Sequence, residues 1–123
     1  MNKIEKYSSK NLTVEVIDLK DSIDVRWKGK SIDREPSEFL SPILGKILEM
    51  ANNSNKRIIL DFRSLSYMNS STITPIIKIL ERAKKGITQI SIFYQKALKW
   101  QELNFSALEI FGTKNNRIEI KGK

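Results

Sequence analysis

Apolar and polar residues alternate in two short stretches near the start of the chain, over residues 12–16 and 23–27. A period of two indicates strands that bury one face. The polar residues 18–22 between the stretches predict a turn, so we predict an antiparallel hairpin. Residues 1–11 are polar and charged, and we expect this N-terminal segment to be flexible.

Helical spacing, with apolar residues three and four positions apart, follows in two long segments. The first covers residues 39–51, and Pro36 or Pro42 could each occupy its first helical position. The second begins near Ser71 or Thr72, continues over residues 73–83 and ends at Gly86. Weaker patterns over 95–103 and 107–111 predict two short helical pieces.

Three further strands are predicted between and after these helices. The apolar run over residues 56–62 is typical of a central strand that is buried on both faces. Residues 88–94 and 117–120 predict two more strands, and strand–helix–strand order implies that these strands are parallel. The fold class is therefore α/β: one domain over residues 12–123, with a mixed sheet, a leading hairpin and three to four helices mainly on one face.

The amino-acid composition excludes several classes of function but says little more about the fold. The chain has 123 residues, no cysteine and no histidine. Disulfides, histidine-based catalysis and the usual zinc sites are thereby excluded, and we predict no enzyme, no cofactor and no metal. No apolar run approaches the ~18 residues of a membrane span, and no secretory signal opens the chain, so we predict a cytoplasmic protein without a membrane partner.

The formal charge of +8 keeps a second function open. A basic domain could bind nucleic acid, and that affinity would fall steeply with salt. The cations are nevertheless spread along the chain among acidic residues, and no aromatic residues are interleaved with them, so nucleic acid is not the favoured partner. A small-ligand sensor with a pocket above the strand ends is a further alternative.

A row of polar residues opens the second long helix: Asn69, Ser70, Ser71 and Thr72. Ser and Thr cap the free N–H groups at a helix start, and Asn can do the same. One cap needs only one side chain, however, and four candidates are present. A phosphate would also be stabilised at a helix N-terminus, so the row is compatible with capping and with phosphorylation.

The stretch from Ile59 to Leu80 resembles the STAS domain, the fold of anti-sigma factor antagonists. The matching residues are Leu60-Asp61, Leu65, Tyr67-Met68 and the row from Asn69 to Thr72. The order of predicted elements over residues 12–120 is similar as well. An Asn followed by three hydroxyl residues and Ile also resembles a STAS-like subgroup that is tied to cyclic-di-GMP and biofilm control.

The resemblance implies a phosphorylation-switched protein-binding module. Ser70 would be phosphorylated by a serine kinase of the histidine-kinase-like ATPase type, with Ser71 and Thr72 as alternative sites, and a PPM-type phosphatase would reverse the reaction. The unphosphorylated form would bind a target, either an anti-sigma factor or a diguanylate cyclase. A homodimer is left open. The expected contact residues are Ser64, Tyr67, Met68, Asn69, Ser71, Thr72, Thr74 and Lys78.

Two positions depart from the STAS pattern. Asn69 stands where the family usually has Asp, which removes a negative charge beside the expected phosphate. Thr72 stands where the family usually has Gly, and a β-branched residue cannot adopt positive φ at low cost. We expect Asn69 to make the phosphorylated state easier to hold, and we expect Thr72 to change how partners dock.

Overall fold

A seven-stranded mixed sheet carries the fold. The computed structural model describes residues 3–123. The strands in chain order are β1 (Lys3–Ser9), β2 (Leu12–Asp18), β3 (Ser22–Ser31), β4 (Arg57–Asp61), β5 (Leu65–Met68), β6 (Ile90–Tyr94) and β7 (Ile118–Gly122).

The strand order is β1-β2-β3-β4-β6-β7, and the short strand β5 extends the far end of β3. The pairs β1–β2 and β2–β3 are antiparallel, which confirms the predicted hairpin. The pairs β3–β4, β4–β6 and β6–β7 are parallel, as the strand–helix–strand order predicted. The carboxyl ends of four parallel strands therefore lie at one edge of the sheet.

Three α-helices connect the strands: α1 (Pro36–Ser54), α2 (Ile73–Lys85) and α3 (Lys99–Ser106). Short 3-10 segments, Ser70–Thr72 and Ala107–Phe111, precede α2 and follow α3. Pro36 occupies the start of α1, where its missing N–H costs nothing, while Pro42 lies inside the helix on its exposed side. The predicted mixed α/β architecture is confirmed.

The hydrophobic core lies on one face of the sheet. Register places Val16, Val25, Leu60 and Ile92 in one row across four strands, and each is at most 4% exposed. On the opposite face, no helix of the described chain covers the row next to it, which is polar or half-buried and consists of Glu15, Arg26, Asp61 and Phe93. No helix within residues 3–123 is long and apolar enough to cross a membrane.

Three expectations need correction. Lys3–Ser9 is not flexible but forms the edge strand β1, paired along its whole length with β2; residues 1–2 of that segment lie outside the described residues. The sequence pattern predicts no strand between residues 62 and 71, but Leu65–Met68 form β5. Strand β4 is central, but it is buried on one face only, because Ile59 and Asp61 face the uncovered side.

Candidate functional site

The row of hydroxyl residues lies where β5 turns into α2. The Asn69 N–H donates to the Ser31 carbonyl at 2.9 Å, so the end of β5 stays attached to the end of β3. Asn69 is extended, and the chain then enters the 3-10 turn Ser70–Thr72 that continues directly into α2. The row is thus anchored to the sheet on one side and to a 13-residue helix on the other.

Asn69 is the capping residue of this turn. Its side-chain oxygen accepts hydrogen bonds from the Thr72 N–H at 3.2 Å and from the Thr72 hydroxyl at 2.8 Å. Its amide nitrogen donates to the Asp33 carbonyl at 2.8 Å. Both ends of the carboxamide are therefore used, and the cap that composition alone assigned equally to serine or asparagine belongs to Asn69.

Polar and charged contacts hold the loop that contains Asp33, whose carbonyl accepts the Asn69 amide. The Asp33 carboxylate accepts the Glu35 N–H at 3.3 Å and pairs with Lys10 at 3.4 Å. The Glu35 N–H, with a smaller contribution from Lys10, lowers the pKa of Asp33 despite the opposing effect of desolvation. Asp33 therefore stays ionised in neutral solution, and its carbonyl is in place to accept the Asn69 amide.

Thr72 is a structural residue. It is fully buried, and its hydroxyl lies 2.6 Å from the hydroxyl of Ser31, which is also buried. Met68 is buried in the core as well. The structure therefore offers neither Thr72 nor Met68 to a kinase or a partner, and both leave the expected contact surface. Thr72 also leaves the set of alternative phosphorylation sites.

Ser70 and Ser71 differ from Thr72 in that both are exposed. The Ser70 carbonyl accepts the Ile73 N–H, as the helix requires. The Ser70 hydroxyl makes no hydrogen bond within the part of the chain that the structure describes. Because Asn69 supplies the cap and Thr72 the buried contact, the serine hydroxyls are left accessible to solvent and to another protein.

The remaining expected contact residues divide between two faces. Ser71 and Thr74 line one groove together with residues 34–38, and Lys78 lines the next groove between α1 and α2. Tyr67 is 48% exposed on β5. Ser64, in contrast, lines a separate depression on the uncovered face of the sheet.

Sequence reasoning missed the residues that support the turn. Ser31 precedes Thr72 by 41 positions, and Asp33 acts through its main-chain carbonyl. Neither residue has a local pattern that marks this role. The predicted parallel pairing of the strands could have located the general region, but not these particular contacts.

The sheet, with all its helices packed against one face, and the two exposed serines at the start of α2 are typical of a STAS-like regulatory protein. A family model described as SiaC family regulatory phosphoprotein matches residues 4–101, from β1 into α3, and the chain belongs to this family. SiaC proteins are STAS-like, partner-switching phosphoproteins, so the resemblance seen in the sequence is confirmed. A search of curated proteins gives no match. A phosphorylation-regulated signalling role follows.

Proposed function

We propose that phosphorylation of Ser70 switches the binding of this protein to its target. The observation that carries the proposal is that the residues of the hydroxyl row have different structural roles. Asn69 caps the turn and Thr72 is buried, whereas the Ser70 hydroxyl is exposed and has no structural partner within residues 3–123. A hydroxyl with no structural task can accept a phosphate without loss of the fold.

The position of Ser70 at the start of a helix favours phosphorylation. A phosphoserine carries a charge of about −1.5 to −2, and the free N–H groups and dipole at a helix start stabilise that charge. The phosphate would leave the scaffold intact and would change the charge and bulk of the exposed surface around Ser70. The switch therefore acts on the interface and not on folding.

The partners follow from the family resemblance. A serine kinase of the histidine-kinase-like ATPase type adds the phosphate, and a PPM-type phosphatase removes it, in the cytoplasm. The unphosphorylated form binds the target, an anti-sigma factor or a diguanylate cyclase. The contact surface comprises the exposed residues Tyr67, Ser70, Ser71, Thr74 and Lys78, which lie on β5, on the hydroxyl row and along α2.

Mass spectrometry after incubation with the kinase and ATP tests the proposal. One phosphate on the peptide that contains Ser70 is expected, and Ser70→Ala should abolish it. Ser71→Ala is the matched control, because Ser71 is equally exposed and adjacent, and it should retain the phosphate. Phosphate on Ser71 in place of Ser70, or none on residues 69–74 with an active kinase, would refute the assignment.

Binding to the target is the second measurement. The unmodified protein should bind, and the phosphorylated protein should not. If phosphorylated and unmodified protein bind equally well, Ser70 is modified but does not switch this interaction.

A further inference from the structure

The uncovered face of the sheet carries a depression of about 600 Å³ at the carboxyl ends of the parallel strands. We name it the basic depression. Its lining side chains are Arg26, Lys28, Asp61, Arg63, Ser64, Gln95 and Lys123. These residues come from β3, from the ends of β4 and β6, and from the segment after β7. Chain segments that are distant in sequence thus converge on it.

Positive charge dominates the basic depression. Four cationic side chains face one carboxylate, which leaves a formal side-chain charge of +3. The carboxylate of Asp61 is already occupied, because the Arg63 guanidinium donates to both of its oxygens at 2.9 and 2.8 Å. Lys28 pairs with Glu15 at 3.5 Å. Arg26 lies between Glu15 and Asp61 in the register, and neither Arg26 nor Lys123 forms a salt bridge within the described residues, so these two cations are the ones that a ligand could pair with.

The wall of the basic depression is rigid. Buried Gln101 donates to the carbonyls of Phe62 and Leu65 at 2.8 and 2.9 Å, and it accepts the Gln95 N–H at 2.7 Å. The Gln95 side chain in turn donates to the Arg63 carbonyl at 2.8 Å. The turn between β4 and β5 is therefore fixed before any ligand arrives, which lowers the entropic cost of binding.

The aromatic ring of Phe93 holds the side chain of Lys123 in place. The Lys123 ammonium lies 4.2 Å from the centroid of the Phe93 ring, and the Arg63 guanidinium lies 5.7 Å from it. Both distances are within the range of cation–π attraction. Phe93 thus helps to hold the Lys123 ammonium beside the basic depression.

We propose that the basic depression binds a small anion that carries two or more phosphate groups. The Arg26 guanidinium can bind a phosphate through paired hydrogen bonds, the Lys123 ammonium can pair with a second phosphate, and Ser64 and Gln95 can add neutral donors. The depression is open to solvent, with a volume of about 600 Å³, so it can admit a ligand with two or more phosphate groups. A long nucleic-acid strand fits less well, because Asp24 and Glu119 lie in the next row of the same face and would repel it.

Two-dimensional NMR of the full chain, titrated with pyrophosphate and with ATP at constant ionic strength, tests this site. We expect saturable shifts of the Arg63, Ser64 and Gln95 amides. Arg26→Gln should weaken binding about tenfold, as expected for the loss of a charged hydrogen bond. Sulfate at the same concentration should bind more weakly than pyrophosphate, because it offers only one anionic group.

Lys20→Gln is the matched control. It removes the same charge from an exposed lysine in the turn before β3, beyond Ser22, which lies about 13 Å along the strand from Arg26, and should leave affinity unchanged. Equal losses in both variants, or shifts that never saturate, would mean an adventitious ion only. Tighter binding of an oligothymidylate, increasing with its length, would identify a nucleic-acid surface instead and overturn the proposal. Ser70→Ala should bind pyrophosphate normally, so this result is independent of the switch.

Discussion

The hydroxyls of Ser31 and Thr72 lie 2.6 Å apart, although 41 residues separate them in the sequence. Ser31 ends β3 and Thr72 ends the 3-10 turn, so this contact joins the sheet to the start of α2. The Thr72 hydroxyl also lies 2.8 Å from the side-chain oxygen of Asn69. The position of Ser70 is thus determined by the residues on either side of it.

Replacing Thr72 with Val should lower the free energy of unfolding by about 1–3 kcal/mol. The substitution keeps the shape of the side chain but leaves the buried Ser31 hydroxyl without a partner. Urea unfolding measures the loss. Thr74→Val is the control, since Thr74 is exposed on α2 and should change stability by no more than about 0.5 kcal/mol. Equal effects at both positions would show that the buried contact contributes nothing.

Asn69→Asp, which restores the residue usual in STAS domains, should destabilise this protein by about 1 kcal/mol. Aspartate can still cap the turn. It cannot donate to the Asp33 carbonyl, which the Asn69 amide contacts at 2.8 Å, and its charge would face that oxygen. Urea unfolding of this variant is compared with Asn11→Asp, the same change in an exposed turn. If Asn69→Asp unfolds at the same urea concentration as the wild-type protein, the role assigned to the amide donor of Asn69 is wrong.

These contacts explain why the site was only partly predictable. The helical spacing after Thr72 and the excess of polar residues located the turn from sequence alone. Which of four neighbouring residues is buried depends on β3, and nothing in the local pattern encodes that partner. The local pattern therefore did not show that Asn69 is the cap and Thr72 the buried residue, whereas the tertiary contacts do.

The two missed strands have their own physical reasons. Strand β1 is an edge strand in which exposed and half-buried residues alternate, and its pairing comes from the backbone of β2. Strand β5 has four residues, with only Leu65 and Met68 buried, so no period of two is visible. The apolar run of β4 suggested burial on both faces, but every helix packs on the other side of the sheet from Ile59.

A negative charge should be tolerated at Ser70 and not at Thr72. Ser70→Glu places a carboxylate on an exposed helix start, where it should leave stability unchanged or raise it by about 0.3–1 kcal/mol. Thr72→Glu would bury a charge without a partner and should prevent folding. Circular dichroism and thermal unfolding distinguish the two outcomes. A folded Thr72→Glu variant would contradict the burial of this residue.

The ion pair between Asp61 and Arg63 should make stability depend on pH in acid. Burial would raise the pKa of Asp61, but hydrogen bonds from the Arg63 side chain and N–H outweigh it and lower the pKa below 3.8. A lowered carboxyl pKa stabilises the folded state above the unfolded-state value, and this contribution disappears as pH falls through the folded-state value. Asp61→Asn should therefore cost about 0.5–1 kcal/mol near neutral pH, a modest value because Arg63 is partly exposed to solvent.

The difference between wild type and Asp61→Asn should shrink as pH falls below 3.8 and through the lowered pKa of Asp61, because the wild-type carboxyl then becomes protonated as well. Urea unfolding at neutral and acidic pH measures this convergence. Asp21→Asn removes an exposed carboxylate from the turn before β3 and serves as the control, with little difference expected at either pH. A difference in unfolding free energy that stays constant from neutral pH into strong acid would mean that Asp61→Asn acts through shape or hydrogen bonding and not through the charge of Asp61.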